Sequence, residues 1–148
     1  MRITVVGDED LDDLAPLVCA YCDFYEVAPS DDDLRSFSRL LIADPDREGI
    51  QLIARDEAGR PLGYATLYWS LSSLSASRIA IMDDLFVRPD ARGSGVADAL
   101  IEECRVRAGR RGATAVTWQT AKTNRRAQRV YERVGARRTE WIDYALDT

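Results

Sequence analysis

The chain has 148 residues, 46% of them hydrophobic and 30% charged, a size and balance expected of one domain (1–148) that buries roughly two-thirds of its unfolded surface. Its formal net charge of −5 argues against a whole-protein affinity for nucleic acid, which needs a basic face. There is no apolar run of membrane length and the opening "MRITVVGDEDLDD" has no apolar signal core, so the expected location is the cytoplasm with no membrane partner. The chain has no histidine, which removes any Ser-His or Cys-His nucleophile pair. Cys19 and Cys22 form a C-x-x-C spacing, but no second pair completes a tetrahedral metal site, and the two positions share one face of a helical pattern. Two small buried thiols and no metal are expected.

Taken in order, "RITVV" alternates toward a short first strand, and Asp8 or Asp10 caps a helix running to about Tyr25 with Leu11, Leu14, Leu17, Val18 and Tyr21 on one face. "VAPS" breaks that pattern, and Ser30 with Asp33 has the form of a capping box opening a second helix through about Ile42. Gln51 to Arg55 and Pro61 to Ser70 read as strands joined by the turn "DEAGR", and "RIAIMDDLFV" supplies a third strand, odd for its central Asp-Asp. The spacing then predicts a helix from Gly95 to about Arg111, a strand from Ala113 to Thr120, and a helix capped by Asn124 and closed by Gly135. "TEWIDYAL" reads as a last strand. Arginines gather late in the chain and acids early, which points to an anionic ligand on the C-terminal half.

The informative stretch is "DLFVRPDARGSGVADAL", where a strand, a glycine turn and a helix start follow one another, the arrangement by which backbones grip phosphate. A P-loop needs Lys-Ser or Lys-Thr after its glycines, and Val96-Ala97 stand there instead. A dinucleotide fingerprint needs Gly or Ala where Asp98 stands, and it usually opens a domain. A third reading fits. Arg92, Gly95 and Ala97 match the acyl-CoA pyrophosphate loop, and Asn124, Ala127, Tyr131 and Gly135 in "NRRAQRVYERVGA" match the downstream helix, of the GNAT N-acetyltransferase superfamily, which residues from about Arg78 to Ala136 closely resemble. Some resemblance to polyamine and small-amine acetyltransferases lies in the acid-Asp-apolar-apolar-Val run ending at Val87.

The resemblance implies an α/β (α+β) fold: a mixed, mostly antiparallel sheet of about six to seven strands, splayed between the fourth and fifth, with helices on both faces. It implies that acetyl-CoA lies in the splay against Leu85, Phe86 and Val87, with its pyrophosphate on Arg92, Gly93, Ser94, Gly95, Val96 and Ala97, and with Asn124, Arg126 and Ala127 completing the grip. The implied reaction is direct attack by a primary amine in a ternary complex. An alkyl ammonium with a pKa near 10.4 is neutral in only about one molecule in a few thousand at pH 7, so a base recovers roughly 4–5 kcal/mol. Asp83 and Asp84 are the candidates. Strand alternation sends them to opposite faces, and Asp83 is favoured as the base through water, with Asp84 the alternative. Tyr131 matches the tyrosine that protonates the departing thiolate. Tyr21, Phe24, Tyr25, Glu26 and Trp118, with Trp69 nearby, are expected to wall a site for a small cationic amine. A protein or peptide acceptor, or a non-catalytic acyl-CoA-binding module, are the alternatives. The final strand suggests a possible homodimer.

Overall fold

The structure, a computed structural model, describes all of residues 1–148. Five strands form one sheet in the order β1 (Arg2–Val5), β2 (Gly49–Arg55), β3 (Pro61–Ser72), β4 (Ser77–Val87) and β5 (Ala113–Thr117). The first four pair antiparallel, β2, β3 and β4 through short turns and β1 with β2 across the two helices between them, and β4 pairs parallel with β5 across an intervening helix. Every residue of β2 is buried, because both faces of the sheet are covered there.

Helices α1 (Leu11–Phe24) and α2 (Asp31–Ala43) cover one face, where Leu11, Leu14, Leu17 and Val18 pack on Ile53, Tyr64 and Phe86. The Ser30 hydroxyl accepts from the Asp33 N–H at 3.1 Å, so the expected cap opens α2. On the opposite face α3 (Val96–Arg110) places Leu100, Ile101, Cys104 and Ala108 against Leu52, Ala65, Leu67, Ala80 and Met82. Val130 and Tyr131 of α4 (Arg125–Arg133) join that layer. Ion pairs fasten the ends: Arg55, 8% exposed, is held by Asp10 and Asp13, and Asp98 in the first turn of α3 pairs with Arg133 of α4 at 2.8 Å.

Three expectations are corrected. The sheet has five strands rather than six or seven, because "TEWIDYAL" pairs with nothing: Trp141, Ile142, Tyr144 and Leu146 are 75–92% exposed. Arg138 reaches back to Gln128 and Glu132 of α4. Strand β5 stops at Thr117 rather than Thr120, and its last pair is Ile81 with Thr117. Cys19 and Cys22 are free, as expected, but half-buried rather than buried.

Candidate active site

Strand β4 has two different environments, one at each end of the gap left where β5 stops. From Met82 to Val87 it runs on with β3 on one side and no strand pairing on the other, which is the splay. Beyond Val87 the chain makes one 3-10 turn at Pro89–Ala91 and enters the glycine loop. Gly93 and Gly95 take φ of +83° and +86°, a left-handed conformation that disfavours a side chain, and the space beside each is open. No side chain caps α3, whose N-cap is Gly95, so the first N–H groups of a 15-residue helix face that opening. Ser94 turns its hydroxyl inward to the Ala91 carbonyl at 2.6 Å.

Arg92 lies over the Phe86 ring, 5.9 Å from its centroid, and donates Nε–H to the Val87 carbonyl at 2.9 Å. Burial and the nearby Arg126 cation push its guanidinium below the usual arginine range. Two cations thus stand close together at the mouth of an uncapped helix. Asn124 accepts from the Ala127 N–H at 3.1 Å and so starts α4 beside them. These residues fit a diphosphate: left-handed glycines, free N–H groups, a helix dipole and two arginines. Acetyl-CoA is therefore compatible with the loop this chain presents.

The second environment lies on the α1 and α2 face of the same strand. Thr66 of β3 pairs with Asp84 while Leu67 pairs with Met82, so Asp83 is the extra residue of a β-bulge. The bulge corrects the expectation that the two aspartates point to opposite faces. Asp84 stands directly across the strand pair from Thr66, the Tyr21 hydroxyl donates to the Asp83 carbonyl beside it at 3.5 Å, and the Asp83 carboxyl accepts from Tyr68 Oη at 3.2 Å. Tyr21 is on α1, and Tyr68 packs edge-on against Phe37 of α2, so both carboxylates face the same helical layer. Burial drives the Asp84 carboxyl above the ordinary carboxylate range, and the Asp83 charge adds to this. The neighbouring Thr66 and Tyr21 hydroxyls oppose it. None of the groups acting on Asp84 is a cation.

A run of aromatic rings leads from this pocket toward α4. Tyr21 packs on Tyr25 at 5.0 Å and Tyr25 on Phe24 at 5.0 Å between ring centroids. Tyr25 in turn lies near Tyr131, whose phenol is pushed up to about 12, chiefly by burial, with Tyr25 adding and a Thr120 hydrogen bond opposing. Tyr131 is thus a neutral O–H at pH 7, able to give a proton. Phe24, Tyr25 and Glu26 share an open groove of about 550 Å³ with Thr123, Asn124, Arg125 and Arg126, so the expected acceptor wall meets the expected cofactor wall. Trp118 stacks edge-on to Tyr131 at 5.2 Å in the α3-side layer. Trp69 is not near the pocket: its indole N–H donates to the Pro45 carbonyl and Arg111 covers its ring at 4.5 Å.

The chain matches the acetyltransferase (GNAT) family over residues 14–136. The chain belongs to that family. It is 34% identical over 148 residues to the N-acetyltransferase YhfO of Bacillus subtilis, covering 99% of this chain and 97% of that one. It is also 34% identical over 119 residues to a D-amino-acid N-acetyltransferase of Saccharomyces cerevisiae, covering 80% and 72% of the two chains. A crystal structure described as that of a "probable acetyltransferase" superposes with a TM-score of 0.88 at 35% identity over 100% of this chain and 98% of the other. The protein is therefore a GNAT-type acetyltransferase, of a family whose acetyl donor is acetyl-CoA.

Tyr68 and Thr66 are pocket residues that sequence reasoning missed. Their alternation with Tyr64 along β3 was readable, but only the register of β3 on β4 brings them to the aspartates.

Proposed function

We propose that this acetyltransferase acts on a small primary amine that enters as a cation, and that Asp84 takes its proton while Asp83 holds its charge at the pocket mouth. The observation that carries this is the bulge, which turns two adjacent carboxylates onto one aromatic-lined face with no arginine or lysine acting on Asp84. A cationic acceptor supplies the missing counter-charge, and Tyr21, Tyr25 and Phe24 offer ring faces to it. What supports Asp84 over Asp83 as the proton acceptor is its burial, which brings a carboxyl toward neutral pH, where a base works best.

Acetyl-CoA supplies an acyl group activated as a thioester. Arg92, Arg126 and the backbone from Gly93 to Ala97 would hold its diphosphate, with Asn124 and Ala127 starting the adjacent helix and Leu85, Phe86 and Val87 lining the splay. Tyr131 holds the proton for the departing thiol.

The test is thiol release from acetyl-CoA against a panel of diamines, monoamines, D- and L-amino acids and peptides. Diamines or monoamines are expected to give the highest kcat/KM. A clear preference for amino acids or peptides overturns the small-cation reading.

Strand β5 ends the sheet with a free edge and the 137–148 tail exposes four large apolar side chains, which together support a homodimer sealed by that tail. Sedimentation of the protein and of the Trp141→Glu, Ile142→Glu variant checks this. A monomeric parent chain refutes it.

A further inference from the structure

Three polar side chains stand in a row across the otherwise apolar face beneath α1. Gln51 of β2 pairs with Thr66 of β3, and Thr66 pairs with Asp84 of β4. The adjacent row, Ile53, Tyr64 and Phe86, is entirely apolar or aromatic and packs under α1. Gln51 is 3% exposed and Thr66 is fully buried. The Gln51 amide Nε2 donates to Thr66 Oγ1 at 3.3 Å. A hydroxyl has a single proton, and with its oxygen already accepting from Gln51 that proton is free for the carboxyl across the strand. Gln51 Oε1, buried with no partner, costs stability that an apolar residue would avoid. Its value to the protein therefore lies in what the amide donates.

We propose that Gln51 and Thr66 are positioning residues for Asp84: the Gln51 amide sets the Thr66 hydroxyl as a donor, and that donor holds the Asp84 carboxyl ionised and aimed at the acceptor face. The proposal rests on the reading of Asp84 as the proton acceptor. The other titratable groups that face Asp84 are Asp83 on its own strand, Tyr21 and Cys22 from α1, and Tyr64 and Tyr68 from β3. The Tyr21 hydroxyl, which donates to the Asp83 carbonyl at 3.5 Å, also lies beside the Asp84 carboxyl, so the Thr66 contribution is partial. Removing a hydrogen bond to the charged form raises an acid's pKa.

The experiment follows two readouts in the full-length protein: the midpoint of the Asp84 side-chain carboxyl by 13C NMR titration, and the acid limb of kcat/KM for the best amine. In Thr66→Val both are expected to move up together by about one pH unit. Thr66→Ser restores them, and Gln51→Leu moves them the same way by less while melting at or above the parent temperature. The KM for acetyl-CoA stays within about twofold in each variant, since neither residue lies at the glycine loop. Unmoved NMR midpoints in both Thr66→Val and Gln51→Leu overturn the proposal. If Thr66→Val does not fold, Gln51→Leu alone decides it by the same criterion. A midpoint that moves while the acid limb stays put upholds the positioning role and removes Asp84 as the base, so the two readings fail separately.

Discussion

The two ends of β4 handle charge in opposite ways. Past Val87 the glycine loop is open and cationic, and it works chiefly through backbone: left-handed glycines and unpaired N–H groups at the start of α3, with Arg92 and Arg126 close by. At Asp83 and Asp84 the pocket is partly buried and acidic, and it works through side chains from α1, β3 and β4. Backbone sites built on a turn tolerate substitution around them because their donors belong to the main chain. Side-chain sites depend on every neighbour that fixes an angle or excludes water.

The largest effect is expected on the acidic side. Asp84→Asn should lower kcat/KM for the amine by about 10²–10⁴ at pH 7, the usual contribution of a positioned base, with the KM for acetyl-CoA unchanged. A loss shared equally by acetyl-CoA affinity, read by steady-state kinetics and calorimetry, would break the division into two halves. Tyr131→Phe comes next, at about a hundredfold in kcat. Because its phenol stays protonated to about pH 12, no basic limb from Tyr131 should appear below about pH 10 in the parent profile.

On the cationic side, Arg92→Ala or Arg126→Ala should raise the KM for acetyl-CoA about tenfold, the value of one charge-assisted contact, with kcat nearly intact. That loss should shrink as salt rises, since screening weakens the same contact in the parent chain.

The smallest effect concerns stability. The Asp84 carboxyl titrates higher in the folded chain than in the unfolded one, so between those two midpoints the folded state binds more protons, and stability falls as pH rises through the folded midpoint. Asp84→Asn removes that loss. The variant should melt a few degrees above the parent at pH 8, and the difference should vanish below about pH 4, near the unfolded carboxyl midpoint. A variant less stable at both pH values would show that the carboxylate's hydrogen bonds outweigh its burial.

The cofactor half was legible in the chain because its chemistry is local. Arg92, Gly93 and Gly95 lie within four positions, and the turn, the left-handed φ values and the helix start all follow from that stretch. Asn124 and Tyr131 likewise belong to one helix, Asn124 as its N-cap. The acceptor half was legible only in its members. Tyr21, Tyr25, Asp83 and Asp84 were recognised, yet the orientation of the two aspartates was misread, because strict alternation holds only in a regular strand and the bulge at Asp83 inserts a residue. The last strand was misread because composition alone does not make one: "TEWIDYAL" pairs with no strand and its large apolar side chains are exposed.

By itself, then, the sequence determined the class of protein, the order of its elements and the phosphate-gripping loop, all consequences of periodicity and short-range turn chemistry. Only the tertiary structure decided that Asp83 and Asp84 share a face, that Gln51 and Thr66 stand behind them and that Trp69 belongs to the opposite layer. Those facts depend on the register between strands whose paired residues lie as far apart as Gly63 and Val87, and register is set by how whole faces bury against their helices.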